Sequence, residues 1–367
     1  MTKKELLYAL ALQKASFIGD ITAKKLIRYC GSAEAVFKAS DKALENIEGI
    51  GSLLINNLKD TSCIKRAEKE LRFIEDHQID YSFYLDEDYP EKLKHCPDGP
   101  ILLFKKGNIN WENKRIISVV GTRQMSPQGA AFCEQFIEML SPLSPLIISG
   151  FAYGIDITAQ RAAVKNRLQT IGCLAHGLNQ IYPKPHKKYM AEIENNGGFI
   201  TDLWSSSHPL RENFLKRNRI IAGMSEATVV IESGEKGGSL ITADIANSYD
   251  REVFAVPGRP GDKFSIGCNN LIKSQKAHLL NSAADLIYML GWEIESELSK
   301  PKEETLTISL EDNEKTIYRF LKENGKELMD IIALKCNLPV YKVATVLLGM
   351  ELKGIIRPLP GKYFEIT

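Results

Sequence analysis

NFLKRNRIIAGMSEATVVIESGEKGGSLITA, residues 213–243, is the stretch on which the fold turns. It opens on a basic knot, Lys216-Arg217-Asn218-Arg219, and the apolar run Ile220-Ile221-Ala222-Gly223 then finishes a helix. Residues 227–231 are a β-branched run of the kind found in parallel strands buried on both faces. Gly234, Gly237 and Gly238 end that strand, and Ser239 opens another helix. A glycine turn between a strand's carboxyl end and a helix's amino end presents free backbone N–H groups and the positive end of a dipole, which suits an anion. Cations before the strand and this turn after it predict a pocket for a phosphate chain.

Outward from this stretch, residues 115–292 alternate strand and helix, the pattern of a doubly wound, Rossmann-like parallel sheet of the α/β class. Strands are expected at 116–120, 146–148, 170–174, 199–200, 227–231, 253–256 and 278–280. In such a sheet ligands lie beyond the carboxyl ends of the strands. Gly121, Gly150, Gly154, Gly177 and the pair Gly237-Gly238 all follow expected strands and so should converge on one rim. The expected organisation is a helical, SAM- or helix-hairpin-helix-like module over 1–65 and a connecting segment over 66–112 with a strand at 101–104. The Rossmann-like domain follows over 113–292, then a charged linker over 293–310. In the first module Leu6, Leu7, Leu10 and Leu12 share a helical face, and the turn Ile47-Glu48-Gly49-Ile50-Gly51 is similar to a helix-hairpin-helix turn. Residues 311–367 read as three amphipathic helices and a hairpin turning at Pro360-Gly361, a winged-helix pattern. Its recognition helix, 340–353, offers only Lys342 and Lys353 against Glu351, which favours packing or protein contact over base reading.

Composition limits the function classes. At 367 residues and net charge +1, any affinity for nucleic acid must come from a local patch. The seven cysteines and six histidines are scattered, without ligand spacing, so the expectation is free thiols in a reducing cytoplasm and no metal or cofactor. No apolar run is long enough to span a bilayer.

Around the rim, Gly121-Thr122-Arg123 departs from a dinucleotide fingerprint, because Arg123 stands where the second glycine would be. A guanidinium there offers a fork to phosphate. Of the basic knot, Lys216 and Arg217 are the better candidate phosphate ligands, with Asn218 or Arg219 available to tie helix to sheet. From Thr158 to Met190 there is no Asp or Glu, while Arg161, Lys165, Arg167, Lys184, Lys187 and Lys188 are present, a bias that suits an anion's path. Phe151 and Phe214 are either base-stacking platforms or core. Asp156 is expected to cap the helix that follows it. The chain lacks a P-loop, paired carboxylates and a nucleophile elbow, so the rim has no evident means of reacting with what it binds.

The set VVGTR (119–123), SGFAYGID (149–156), HGLNQIYP (176–183), FLKRNRIIAGMS (214–225), GGSLITADIA (237–246) and VFAVPG (253–258), in this order, resembles the DNA-processing protein A family, DprA/Smf. The resemblance implies a non-enzymatic single-stranded DNA-binding protein of natural transformation. Such a protein protects incoming strands, loads the RecA recombinase and dimerises through the Rossmann-like domain. Carried over by motif, it implies DNA contacts at Gly121, Thr122, Arg123, Lys216, Arg217, Asn218, Gly238 and Ser239. Gly150, Phe151, Lys184 and Phe214 complete the candidate site on the strength of the rim itself. Leu215, Gly237 and Gln160 stand where the family usually has proline, serine and histidine. A rival is a phosphoribohydrolase acting on nucleoside monophosphates, whose glycine loop is similar to Lys236-Gly237-Gly238-Ser239. There, however, Leu240, Ile241 and Ile245 replace that group's Gly, Thr and catalytic Glu.

Overall fold

A computed structural model describes residues 1–112, 115–292, 311–353, 355–359 and 361–366. The chain divides into two compact units, 1–294 and 295–367. The expected linker at 293–310 and, in the expected hairpin, Gly354 and Pro360 lie outside the described residues.

The main sheet of the first unit contains β1 (Asp80–Phe83), β2 (Leu102–Gly107), β3 (Ile116–Val120), β4 (Leu146–Ser149), β5 (Thr170–Cys173), β6 (Gly197–Thr201), β7 (Ala227–Val230), β8 (Glu252–Ala255) and β9 (His278–Leu279). Their spatial order is β1-β2-β6-β5-β4-β3-β7-β8-β9. Every pairing from β6 to β9 is parallel, matching the seven strands expected from the β-branched runs. Strand periodicity explains the two covering layers. On β3 the side chains of Ile117 and Val119 enter one core with Ile147 and Val229, while Ile116 and Val120 enter the other with Ile148 and Val230. Ser118, fully buried between these layers, is satisfied by the Thr228 hydroxyl at 2.8 Å.

The connecting segment, in which a strand is expected at 101–104, carries two strands and joins the sheet. β2 pairs antiparallel with β6, and β1 with β2, so residues 80–107 extend the sheet. The helix Ser62–Asp76 also runs across the boundary expected at residue 65. Leu6, Leu10 and Leu12 of the first helix, Lys3–Lys14, are buried in one core with Phe83, Leu102, Phe104 and Trp204. The helical module therefore seals the antiparallel end of the sheet. Within the module, Gly19 and Gly51 are the N-caps of the helices Asp20–Cys30 and Ser52–Lys59, neither with a side-chain cap.

The second unit holds the helices Asp312–Asn324, Met329–Lys335 and Val340–Leu352, with β10 (Glu327–Leu328), β11 (Ile356–Leu359) and β12 (Tyr363–Ile366). The strands lie in the order β10-β12-β11, the three-stranded wing of a winged helix.

Candidate nucleic-acid interface

β3 leads to β4, β5 and β6 on one side, and the chain then returns to place β7 on the other side of β3. That reversal is the topological switch point, where the loops after two neighbouring parallel strands diverge and leave a crevice. Here the crevice is a cavity of about 560 Å³. One wall is Val120-Gly121-Thr122-Arg123 after β3, and another is the glycine turn 234–239 after β7. The third is the helix Arg211–Met224, which presents Arg211, Phe214, Asn218 and Ile221, spaced three and four apart and so on one face.

Close packing dictates several of the glycines. A Cβ on Gly121 would lie 2.5 Å from the Ile155 side chain, so its absence lets the helix Ile155–Lys165 approach the sheet. Gly154, at φ +78, starts that helix, and a Cβ there would strike the Thr122 carbonyl. The Thr122 N–H donates to the Glu232 carbonyl at 2.7 Å and is not available to a ligand. The helix Gly238–Ser248 has no side-chain cap, and the N–H groups of Gly238 and Ser239 have no partner among the described residues. They are the open donors of the turn. The Ser239 hydroxyl is buried and bonded to that of Ser233 at 2.9 Å.

The mouth of the cavity is cationic. Arg123, Arg211 and Lys236 are exposed lining residues, and among the described residues none lies within 4 Å of a carboxylate. Arg123 lies over the Phe214 ring at 5.1 Å, and the exposed Tyr182 meets the same ring edge-on at 5.5 Å. Phe214 thus belongs to the cavity wall and is neither solvated nor core.

The floor corrects four expectations. Arg217 is 4 % exposed and donates through Nη1 to the Gly150 carbonyl at 2.7 Å and to the Cys173 carbonyl, joining the ends of β4 and β5. It is an internal tie that also lines the cavity. A Cβ on Gly150 would meet Asp156 Oδ2 at 2.5 Å and Arg217 Nη1 at 2.7 Å, so this glycine makes room for the buried pair and does not face the cavity. Phe151 is 1 % exposed, packed edge-on against Phe199 and His186, and has no face left for a base. Asp156 is not the N-cap, which is Gly154; its Oδ2 accepts from the Ala152 N–H at 3.4 Å. Burial is the largest influence on this pair and pushes the carboxyl up and the guanidinium down, with their mutual attraction opposing both shifts.

Lys184 and Lys216 are exposed but stand outside the cavity lining; the Lys216 charge adds to burial and Arg66 in holding the pKa of Lys14 down. Asn218 lines the wall and donates to the Gly238 carbonyl at 3.5 Å. Arg219 is the structural member of the knot, paired with Asp202 at 2.5 Å and Asp20 at 3.1 Å. Sequence reasoning missed Arg211, Lys236 and Tyr182 as wall residues. Arg211 could have been found by projecting the helix one turn upstream of Phe214.

Residues 80–291 match the family model of DNA recombination-mediator protein A, and residues 301–362 that of the DprA winged helix domain. The chain belongs to the DNA recombination-mediator protein A family. Protein Smf of Escherichia coli is 34 % identical over 76 % of this chain and 75 % of its own. The DNA processing protein DprA of Streptococcus pneumoniae is 39 % identical over 55 % of this chain and 71 % of its own. Among solved structures, DprA from Streptococcus pneumoniae superposes with a TM-score of 0.63 at 30 % identity, covering 78 % of this chain and 98 % of that one. A Helicobacter pylori DprA, whose structure is described as revealing a single-stranded DNA binding mode, gives 0.52 at 27 % identity over 57 % of this chain and 95 % of its own.

As a DprA-type chain, this protein carries its departures in instructive places. Leu215, where proline is usual, is 42 % exposed at the cavity mouth. A Cβ at Gly237 would lie 2.2 Å from the Ser233 hydroxyl, so the usual serine would displace Ser233 from its bond with Ser239. Gln160, in place of histidine, is fully buried with neither amide atom hydrogen-bonded. In the winged helix, Lys353 is taken by Glu314 at 2.6 Å and Arg357 by Glu365 at 2.5 Å. The helix Val340–Leu352 exposes Tyr341 and Leu348. No group of three or more metal-ligating side chains occurs among the described residues, and no single helix there is long and apolar enough to cross a membrane.

Proposed function

We propose that the protein binds single-stranded DNA along the carboxyl-end rim of its sheet and does no chemistry on it. The observation that carries this reading is convergence. Three exposed cations without acidic partners and the two open amides of Gly238 and Ser239 surround one cavity at the switch point. The cations and amides take backbone phosphates, while Phe214 and Tyr182 supply aromatic surface to unstacked bases. Duplex DNA buries its bases and cannot offer them to such a wall. The Helicobacter pylori relative, described as binding single-stranded DNA, supports the same ligand. Service in transformation, delivery of the strand to RecA, a dimer through the Rossmann-like domain and a cytoplasmic location complete the proposal and rest on family membership.

The phosphoribohydrolase reading has less support. Asp156 is the lone carboxylate lining the cavity among the described residues; it is buried, accepts from the Ala152 amide and feels the nearby Arg217 charge. Ile245 packs against the core where that chemistry needs a glutamate, and the neighbouring Asp244 is paired with Lys276. Fluorescence anisotropy with oligothymidylate and with duplex of equal length tests the proposal. Tighter binding of the single strand, weakening steeply with salt, is expected; equal affinity for both, or release of free base from AMP, rejects it.

A further inference from the structure

A second surface adjoins the cavity, and its charge is unbalanced. Between Thr158 and Met190 the chain has no acid, and all six cations of that window, Arg161, Lys165, Arg167, Lys184, Lys187 and Lys188, are exposed. None of the six forms an ion pair among the described residues, whereas Lys105, Lys106 and Arg219, on neighbouring elements, all do. The nearest acid downstream, Glu192, is four residues beyond Lys188 and forms no ion pair, and Glu194 is held by Lys106 at 3.0 Å.

Two of the six meet over one aromatic ring. Arg161, on the helix Ile155–Lys165, lies 5.1 Å from the centre of Tyr189, and Lys188 lies 5.0 Å from it. Tyr189 continues through His186, at 5.9 Å between rings, to Tyr153, at 5.0 Å. Tyr153 is 42 % exposed and directly follows Ala152, a residue of the cavity wall. On the opposite approach, Lys184 sits two residues after Tyr182, another wall residue. His186 itself is buried, so the exposed residues Tyr153 and Lys184, each within two residues of a wall residue, are the points at which this surface adjoins the cavity. Clustered cations without acidic partners repel one another, and cations set beside exposed rings are the arrangement that tracks a polyanion bearing flat bases.

We infer that a single strand leaves the cavity past Tyr153 and continues across Arg161, Lys188 and Tyr189, which hold its outlying phosphates and stack a base. This inference rests on the reading of the cavity given above. It predicts a footprint longer than the cavity itself, with the added length governed by residues of the helix Ile155–Lys165 and the turn Lys184–Tyr189.

The test uses the full chain and oligothymidylates of about 6 and about 16 nucleotides, sizes within the range of single-strand sites. In the double variant Arg161→Ala/Lys188→Ala, affinity for the short oligomer should stay within about twofold of wild type. For the long oligomer, affinity at physiological salt should fall about tenfold. The slope of log K against log salt should become shallower by about 1.4, or about 0.7 for each phosphate no longer neutralised. Tyr189→Leu, which keeps both cations, should weaken the long oligomer and leave the slope intact. A double variant with wild-type affinity and slope for the long oligomer overturns the inference while the cavity reading stands. Failure of the wild type to bind either oligomer sinks both. If the double variant loses binding to vesicles containing phosphatidylglycerol but keeps the long oligomer, the patch is a lipid surface and the inference fails.

Discussion

At the floor of the cavity Arg217 and Asp156, 4 % and 7 % exposed, face each other beside Gly150; at its mouth Arg123, Arg211 and Lys236 stand in solvent without acidic partners. Both regions hold arginine, yet the physics of each assigns it a different task. A buried charge must be compensated where it lies, so Arg217 Nη1 is held by two strand-end carbonyls and the guanidinium lies within the electrostatic reach of Asp156. An exposed, unpaired charge costs little to maintain and remains free for an incoming anion. The floor sets the shape of the crevice, and the mouth meets what enters it. Cation count alone would not separate the two.

The sharpest way to break this contrast is Arg217→Ala. Removing the guanidinium leaves the buried Gly150 and Cys173 carbonyls without their charged donor and removes the attraction that offsets the burial of Asp156, and the expected loss of stability is about 3–5 kcal/mol by urea unfolding. Pairing it with Asp156→Leu should recover much of that loss. Should Arg217→Ala instead unfold like wild type and bind oligothymidylate poorly, Arg217 would belong with the mouth and the contrast would collapse.

Arg123→Ala probes the other side. Its guanidinium touches the Phe214 ring and no acid, so stability should not change. Binding of oligothymidylate should weaken about tenfold, and the salt slope should fall by about 0.7, the share of one phosphate on a single strand. An unfolding midpoint that moves while the salt slope does not would show Arg123 to be structural.

Gln160, buried on the helix Ile155–Lys165 behind the cavity lining, extends the contrast to a neutral polar group. It is fully buried and both amide atoms lack partners, so it bears the desolvation penalty without the hydrogen bonds that normally offset it. Gln160→Met keeps the volume and removes the polar atoms. Stability should rise by about 1 kcal/mol in urea unfolding with oligothymidylate affinity unchanged. A lower stability would mean that the amide is satisfied by a group not apparent in the packing.

How much of this was legible in the sequence depended on whether backbone or side-chain direction was at issue. The seven parallel strands followed from apolar β-branched runs, and their glycine ends located the rim, because a doubly wound sheet leaves one place for such turns. β1 and the extension of the sheet by β2 were not legible as sheet, since antiparallel edge pairing depends on the chain folding back from residues 80–107. Within the knot 216–219, composition could not say which cation faced which way. Helical geometry decides it: Arg211, Phe214 and Asn218 fall on the cavity face, while Lys216 and Arg219 are carried round toward the helical module. Gly150 and Phe151 escape a sequence reading because a residue just past a strand's end can turn inward as readily as outward, and only packing around Asp156 and Arg217 fixes the choice.

Lys236 gives the finest discrimination. It rises from the glycine turn 234–239 on a flexible stem, next to the open amides of Gly238 and Ser239, and makes no aromatic contact of the kind that fixes Arg123. A lysine is a rotatable point charge rather than a planar fork, so it contributes attraction with little geometry. Lys236→Ala should therefore weaken oligothymidylate about threefold at physiological salt, less than Arg123→Ala, while lowering the salt slope by the same increment of about 0.7. Equal slopes with unequal affinities would show that both cations neutralise one phosphate each and that the Arg123–Phe214 pair adds contact of a non-ionic kind. If Lys236→Ala instead leaves the slope at its wild-type value, the phosphate lies away from the glycine turn, and the open amides, although geometrically available, are not where the strand is held.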